Sequence, residues 1–307
     1  MLILRVLTAV IGLPLVILLL SQGSQTSVLW FFGVCSAIAV HEAALMVLPE
    51  FDSLFALHPA MVEARKASKK QFQKPQSEFS KSTYRRAALL CALGMLLLYF
   101  AVASVQVQSG LGIVISALGV AILSSIFLTR GIDAEVSRMS GILVTIVYAG
   151  LPWILIWNLY VMRPGASLVF MLLAIVWGGD TGAYFGGRFF GRHKLSPLKS
   201  PKKTWEGAIA GMSVSIGASI LIEVYGGSPM GGLLLAVAAG IVGGSLGQLG
   251  DLVESVIKRF ARVKDSGALF PGHGGFLDRV DGLLVAAPGL WVLFSLLQNM
   301  QLLARTQ

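Results

Sequence analysis

The residues best suited to chemistry are concentrated in one short segment, 255–281, of a chain that is otherwise mostly apolar. Five Lys or Arg, three Asp and one His occur within these 27 residues. Opposite charges beside a membrane cost desolvation energy unless a bound ion or substrate interacts with them. The composition of the segment therefore predicts a site for a metal ion or an anionic substrate.

Carboxylates recur around this segment at helical spacing. Asp251, Ser255 and Lys258 stand at i, i+4 and i+7, so one helix face would carry a carboxylate, a hydroxyl and an ammonium group. Asp278 and Asp281, at i and i+3, share a face if a second helix begins there. Two carboxylate sets across a cleft can hold Mg²⁺, which favours a few carboxylates together with phosphate oxygens. We predict Asp251, Asp278 and Asp281 as metal ligands, with a second cation such as K⁺ left open.

A glycine-rich stretch lies between the two carboxylate sets. Residues 271–275 read Pro-Gly-His-Gly-Gly, which predicts a turn rather than a helix. Backbone N–H groups at glycine can approach a phosphate closely and form an anion-binding concavity. His273 is either a phosphate contact or a structural turn histidine. The predicted substrate-binding residues of this region are Arg259, Lys264, His273, Gly274, Gly275 and Arg279.

A second polar cluster spans residues 180–207 and joins two apolar runs. Pro201 can begin a helix, and the N–H groups that follow would favour an anion. Anchoring by positive charge and an interfacial Trp explains the lysines and Trp205, but it does not explain Asp180. The predicted substrate contacts of this cluster are Asp180, Lys202, Lys203 and Thr204.

Membrane helices must position these groups. Hydrophobic residues are 55% of the chain and charged residues 13%, whereas soluble proteins carry ~25% charged residues. A bilayer span needs roughly 20 mostly apolar residues, which predicts an all-α polytopic membrane protein with a single catalytic domain, 1–307. The nine predicted spans are 3–20, 28–48, 87–105, 111–129, 140–161, 167–186, 208–225, 231–250 and 282–303. The predicted cytoplasmic loops are 49–86, 130–139, 187–207 and 251–281.

The distribution of positive charge predicts the orientation. One side of the predicted topology carries 22 Lys or Arg, including Arg5, and the other carries only Arg163 and Arg305. The positive-inside rule then places the N-terminus in the cytoplasm and the C-terminus outside. This distribution accounts for the net charge of +9, so no nucleic-acid partner is predicted.

Three further features concern groups within the spans. Glu42 either joins a cation-holding cytoplasmic cavity or faces interfacial water, whereas Glu223 is expected to face interfacial water only. Small-residue spacing on the eighth span predicts close helix packing that positions Asp251 against a neighbour. The glycines concerned are Gly240, Gly243, Gly244, Gly247 and Gly250.

Segments 180–207 and 250–282 resemble the phosphatidate cytidylyltransferase (CDP-diacylglycerol synthase) family. The matching positions of the second segment are Ser255, Lys258-Arg259, Lys264-Asp265, Gly267, Pro271, His273-Gly274-Gly275 and Asp278-Arg279-Val280-Asp281. Ala268 departs from the pattern, because a basic residue is common there. The resemblance implies transfer of the cytidylyl group of CTP to phosphatidic acid in the bilayer, with release of pyrophosphate, at the cytoplasmic face of the cell inner (plasma) membrane. It also implies a homodimer.

The predicted roles follow from that chemistry. Lys203, Lys258 and Arg259 would neutralise phosphate charge, and Ser255 would orient a phosphate. The predicted catalytic residues are Asp251, Ser255, Lys258, Lys203 and Asp278.

Two alternatives remain open. A CTP-dependent lipid kinase would share nucleotide, metal and lipid, but it would release CDP instead of pyrophosphate. A secondary transporter of an anionic solute would also place acids and bases within the membrane. Against a transporter, the charges lie at one face, and no inverted repeat is visible.

Overall fold

The computed structural model describes residues 2–66, 81–105, 132–162, 166–196, 200–269 and 274–305. Helices dominate these ranges. They are α1 (Leu2–Gln22), α2 (Gln25–Lys66), α3 (Lys81–Val105), α4 (Ile132–Thr145), a π-helical turn (Ile146–Gly150), α5 (Leu151–Val161), α6 (Ala166–Phe190), α7 (Trp205–Tyr225), α8 (Leu233–Phe260) and α9 (Leu277–Arg305).

Seven helical stretches are long and apolar enough to cross a membrane. They are Gln25–Phe51, Ser82–Val102, Met139–Val161, Ala166–Phe190, Trp205–Tyr225, Leu233–Phe260 and Leu277–Gln298. Each coincides with a predicted span, so the all-α polytopic membrane architecture is confirmed. The first predicted span lies in α1, where Gly12–Gln22 forms a shorter apolar helix. The span 111–129 lies outside the described residues, and the total of nine stays a prediction.

Several helices extend beyond the predicted spans. Helix α2 continues to Lys66, into the segment that was predicted as a cytoplasmic loop. Helix α8 continues to Phe260, which confirms that one helix carries Asp251, Ser255 and Lys258. Helix α9 begins at Leu277, so Asp278 and Asp281 lie in its first turns.

A short antiparallel hairpin precedes α7. Strands β1 (Lys194–Ser196) and β2 (Ser200–Thr204) pair Lys194 with Thr204. Pro201 lies in β2, so the prediction that it begins a helix is wrong. The helix begins only at Trp205, because the extended Thr204 is its N-cap and accepts a hydrogen bond from the N–H of Gly207 at 3.2 Å.

The chain forms two compact units. The first contains Met1–Phe32, Pro152–Val256 and Asp278–Gln307, and the second contains Gly33–Leu151 and Ile257–Leu277. The single catalytic domain, 1–307, stays a prediction.

Glycine allows close helix packing in the first unit. A Cβ added at Gly240 would lie 2.6 Å from the Cα of Ile216, and one added at Gly244 would lie 2.8 Å from the Cβ of Ser215. A Cβ at Gly250 would overlap the backbone carbonyl of Asp281. These contacts confirm the predicted packing and bring α8, at Asp251, against the start of α9.

Candidate active site

An ion pair between Lys203 and Asp251 marks the site in the first unit. The Nζ atom of Lys203, on β2, lies 2.6 Å from Oδ2 of Asp251, on α8. Each side chain is 26% exposed. Because both groups are largely withdrawn from water, their attraction is stronger than that of a surface pair.

Further carboxylates surround this pair. The carboxyl groups of Asp251 and Glu254 lie close to that of Asp281, and Asp180 interacts electrostatically with Asp251 and Lys203. Glu254 is only 2% exposed. The described part of this unit therefore groups four carboxylates with the ammonium group of Lys203. Such an excess of acidic groups favours binding of a further cation.

A cavity of about 460 Å³ opens beside the ion pair. This volume lies within the range of small-ligand pockets, roughly 300–1,000 Å³. Five predicted site residues line it: Asp180, Lys202, Lys203, Thr204 and Asp251. The cavity thus combines the carboxylates and ammonium groups that a metal–phosphate ligand requires.

Glu206 secures the hairpin that carries Lys202 and Lys203. Its carboxylate accepts hydrogen bonds from the backbone N–H groups of Arg192, at 3.0 Å, and His193, at 3.2 Å. It also contacts Nδ1 of His193 at 2.6 Å. The N–H of Trp205 donates to the carbonyl of His193 at 2.9 Å. These bonds tie the residues before β1 to the first turn of α7.

Four predicted residues of the first unit do not line this cavity: Ser255, Asp278, Arg279 and Asp281. Ser255 lies one turn beyond Asp251 on α8 and is half-buried, as is Asp278 at the start of α9. Arg279, beside it, is exposed. The residue of α9 that contacts Asp251 is Asp281, while the predicted roles of Ser255, Asp278 and Arg279 stay predictions.

The other predicted residues belong to the second unit. Lys258 and Arg259 lie in the last turn of α8, and Lys264 is exposed in the loop that follows. Gly274 has φ +83°, which glycine adopts readily. His273 lies outside the described residues. The predicted phosphate contacts of Lys258, Arg259, Lys264, His273, Gly274 and Gly275 stay predictions.

Glu42 and Glu223, the acids expected at the ends of the second and seventh predicted spans, are buried. Glu42, 6% exposed, accepts a hydrogen bond from the N–H of Leu277 at 2.9 Å, so it does not face interfacial water. Glu223, 2% exposed, accepts bonds from the N–H groups of Met230 and Gly232 at 2.8 and 2.7 Å. The prediction that Glu223 faces interfacial water is therefore wrong, because the α7–α8 loop folds over its carboxylate.

Some residues near the site were not predicted. Glu254 and Gln248 lie three residues either side of Asp251, and this spacing could have identified both. The Nε2 of Gln248 donates to the carbonyl of Ala208 at 3.0 Å, and Gln248 lines the cavity. Tyr184 and Arg188 also line it, and they are joined by a 3.0 Å hydrogen bond.

The carboxylates fit one mode of cation binding. Among the described residues, no group of three or more His, Cys, Asp or Glu side chains has an arrangement that could hold a metal ion. Mg²⁺ does not require such a cage, since it is usually held by one or two carboxylates, water and substrate phosphates. Asp251 and Asp281 provide oxygen donors of that type.

Apolar helices and a polar cavity that pairs carboxylates with lysines define a multi-pass membrane protein with a site for a charged ligand. Residues 3–297 match the family described as the cytidylyltransferase family, and the chain belongs to that family.

Several curated relatives carry the name phosphatidate cytidylyltransferase. That of Brucella suis is 46% identical over 130 residues, which cover 42% of this chain and 47% of the relative. That of Haemophilus influenzae is 40% identical over 131 residues, covering 40% and 44%. That of Staphylococcus epidermidis is 40% identical over 151 residues, covering 49% and 57%. The chain spans about half the length of the curated relatives it matches.

Proposed function

We propose that this protein transfers the cytidylyl group of CTP to phosphatidic acid and so makes CDP-diacylglycerol and pyrophosphate for phospholipid biosynthesis. The observation that carries the proposal is the cavity in which Lys203 pairs with Asp251, in a chain built from apolar helices. The family match and the names of the relatives support the same reaction.

In the proposed reaction, a phosphate oxygen of phosphatidic acid attacks the α-phosphorus of CTP. A new P–O bond forms there, the bond from the α-phosphorus to the β-phosphate oxygen breaks, and pyrophosphate leaves. A phosphate monoester is already a competent nucleophile, so no strong general base is needed. Lys202 and Lys203 would bind phosphate oxygens and offset their charge, so that catalysis rests on positioning and electrostatics.

Asp251 and Asp281 would hold Mg²⁺ in this proposal, and Asp278 is a further proposed ligand. Bound there, the ion would offset the triphosphate charge and orient the α-phosphorus. Asp180 and Glu254 add negative charge around the same point, which would favour a second cation such as K⁺. Ser255 is proposed to orient a phosphate.

Residues of the second unit are proposed to bind phosphate as well. Lys258, Arg259 and Lys264 would provide positive charge, and Gly274 and Gly275 would provide backbone N–H groups.

The end of α6 supports a lipid substrate. Phe185, Phe189 and Phe190 are exposed on the helix whose Tyr184 and Arg188 line the cavity. Tyr184 is exposed there as well, and tyrosine is enriched at the membrane interface. A lipid phosphate could therefore reach the cavity while its acyl chains stay beside these rings.

Product analysis tests the proposed function. Purified protein should be incubated with Mg²⁺, phosphatidic acid and CTP that carries labels in both cytidine and the γ-phosphate. We expect the cytidine label in lipid and the γ-label in pyrophosphate. A γ-label in lipid with release of CDP would instead identify the lipid kinase. If neither membranes that contain the folded protein nor the purified protein label the lipid, the proposal is overturned.

We also propose that the protein lies in the cell inner (plasma) membrane as a homodimer, with its N-terminus and active-site loops in the cytoplasm and its C-terminus outside. The asymmetry of Lys and Arg across the predicted topology motivates this orientation.

Single cysteines at exposed positions should report this orientation. We expect Ala268→Cys to react with an impermeant thiol reagent only after the cytoplasmic face is opened, and Ser228→Cys to react in intact cells. The native Cys35 and Cys91 are buried, so the unsubstituted protein is the control for background labelling. Labelling of Ala268→Cys in intact cells would contradict the orientation.

A further inference from the structure

We propose that Glu42 is a positioning residue for phosphate binding, since it holds Ser266 and the residues that directly follow Gly274 and Gly275. This inference rests on the proposed function, in which these glycines bind a phosphate of CTP.

Three hydrogen bonds link Glu42 to this segment. Its carboxylate accepts from the Oγ of Ser266 at 3.1 Å, from the N–H of Phe276 at 3.1 Å and from the N–H of Leu277 at 2.9 Å. These donors stand before and after residues 270–273, and each lies more than 220 residues from Glu42 in sequence. One side chain of α2 therefore joins Ser266 to the residues at the start of α9.

Two glycines beside these donors also lie close to the carboxylate. A Cβ at Gly267 would lie 2.5 Å from Oε1 of Glu42, and a Cβ at Gly275 would lie 2.5 Å from Oε2. Only glycine allows the backbone to approach the carboxylate this closely. Gly275 is thus held from one side by Glu42, and it directly precedes Phe276 and Leu277, whose N–H groups Glu42 binds.

The contacts require a carboxylate. Both oxygens accept, Oε1 from Phe276 and Oε2 from Ser266 and Leu277. In Glu42→Gln, an amide NH₂ group would replace one oxygen. This group would face a backbone N–H from which it cannot accept a hydrogen bond. The contacts of residue 42 with Ser266, Phe276 and Leu277 would loosen, while the volume of the side chain stays almost the same.

Steady-state kinetics per folded enzyme test the proposal. In Glu42→Gln we expect KM for CTP to rise about tenfold or more, because hydrogen bonds to a charged group are lost from the element that binds phosphate. A purely structural role would reduce the amount of folded enzyme and leave its KM unchanged. That result would overturn the proposal.

Glu223→Gln is the matched control. Glu223 is also buried and also accepts two backbone N–H bonds, but it holds the α7–α8 loop. The same chemical change there should leave KM for CTP within about twofold of the unsubstituted enzyme, since the residues that Glu223 holds do not line the cavity. An equal rise in KM in both variants would contradict a specific role for Glu42.

Hydrogen exchange separates this proposal from the proposed function. Amides of residues 274–277 should exchange faster in Glu42→Gln, with no change in the α7–α8 loop. If the unsubstituted protein makes no CDP-diacylglycerol, the proposed function fails, whereas the exchange result still reports on the loop. Unchanged exchange at 274–277 would overturn the positioning role even in an active enzyme.

Discussion

Asp251→Asn is expected to lower kcat by about a thousandfold or more, a loss of ~4 kcal/mol of transition-state stabilisation. The substitution keeps the shape of the side chain and removes its charge. That charge pairs with Lys203 at 2.6 Å and, in the proposed mechanism, holds Mg²⁺ against the triphosphate. Assays at saturating Mg²⁺ and CTP, normalised to folded protein, provide the measurement.

The same variant should remain stably folded. Asp251 lies among Asp180, Glu254 and Asp281, so removing its charge relieves repulsion. Lys203 keeps the electrostatic attraction of Asp180. We therefore expect the thermal unfolding midpoint in detergent to stay near that of the unsubstituted protein. Added Mg²⁺ should raise the midpoint of the unsubstituted protein but not that of Asp251→Asn.

Glu223→Gln serves as the control, because it also converts a buried carboxylate to an amide but lies away from the cavity. It should lower the unfolding midpoint and spare kcat, which is the opposite pattern. Near-normal turnover in Asp251→Asn at saturating Mg²⁺ would show that this residue neither holds the ion nor contacts a substrate.

Helical periodicity was sufficient to predict the part of the site that lies on α8. The spacing of Asp251 and Ser255, and the glycines before them, correctly indicated a helix that packs closely with its neighbours. A membrane helix must satisfy its backbone internally, so its faces follow from spacing alone. The seven apolar helices were predictable because a bilayer span needs roughly 20 mostly apolar residues.

The partner of Asp251 on α9 was not predictable from spacing. Asp278 and Asp281 share a helix face, and of the two only Asp278 was predicted as a catalytic residue. The contact depends on where α9 crosses α8, and the absent Cβ of Gly250 brings the backbone at Asp281 close. Tertiary packing therefore decides which carboxylate meets Asp251.

In the hairpin that carries Lys203, a local sequence signal led to a wrong prediction of where the helix begins. Pro201 is a good first residue of a helix, but it is equally compatible with an extended strand. Thr204 provides the cap, and the bonds of Glu206 to Arg192 and His193 favour the hairpin over an earlier helix start. Those bonds join residues on both sides of the hairpin, so a local pattern does not reveal them.

The burial of two acids was not predictable for a related reason. Glu42 and Glu223 lie near predicted span ends, where interfacial water would solvate a carboxylate at low cost. Their actual partners are backbone N–H groups of loops. The sequence does not show which backbone N–H groups of a loop are available to a carboxylate. From sequence alone, a buried acid bound by a loop therefore cannot be distinguished from an acid that faces water.

Lys203→Met is expected to lower kcat/KM for CTP roughly thirty- to a thousandfold, or ~2–4 kcal/mol, because a charge-assisted phosphate contact is lost from a partly dry cavity. In contrast to Asp251→Asn, this variant should also unfold more easily. It removes the cation that offsets Asp251 and Asp180 and leaves those carboxylates to repel each other. Steady-state kinetics and thermal unfolding in detergent together give the measurement.

Two further variants make this result specific. Lys203→Arg should restore stability and only part of the activity, because a planar guanidinium does not reproduce the compact charge of an ammonium group. Lys194→Met is the matched control, since Lys194 is exposed on strand β1 of the same hairpin and does not line the cavity. If Lys203 merely anchored the hairpin at the interface, Arg would serve as well as Lys, and Lys194→Met would be as damaging as Lys203→Met. Full kcat/KM in folded Lys203→Met would remove the residue from the mechanism and leave its pairing with Asp251 a structural contact.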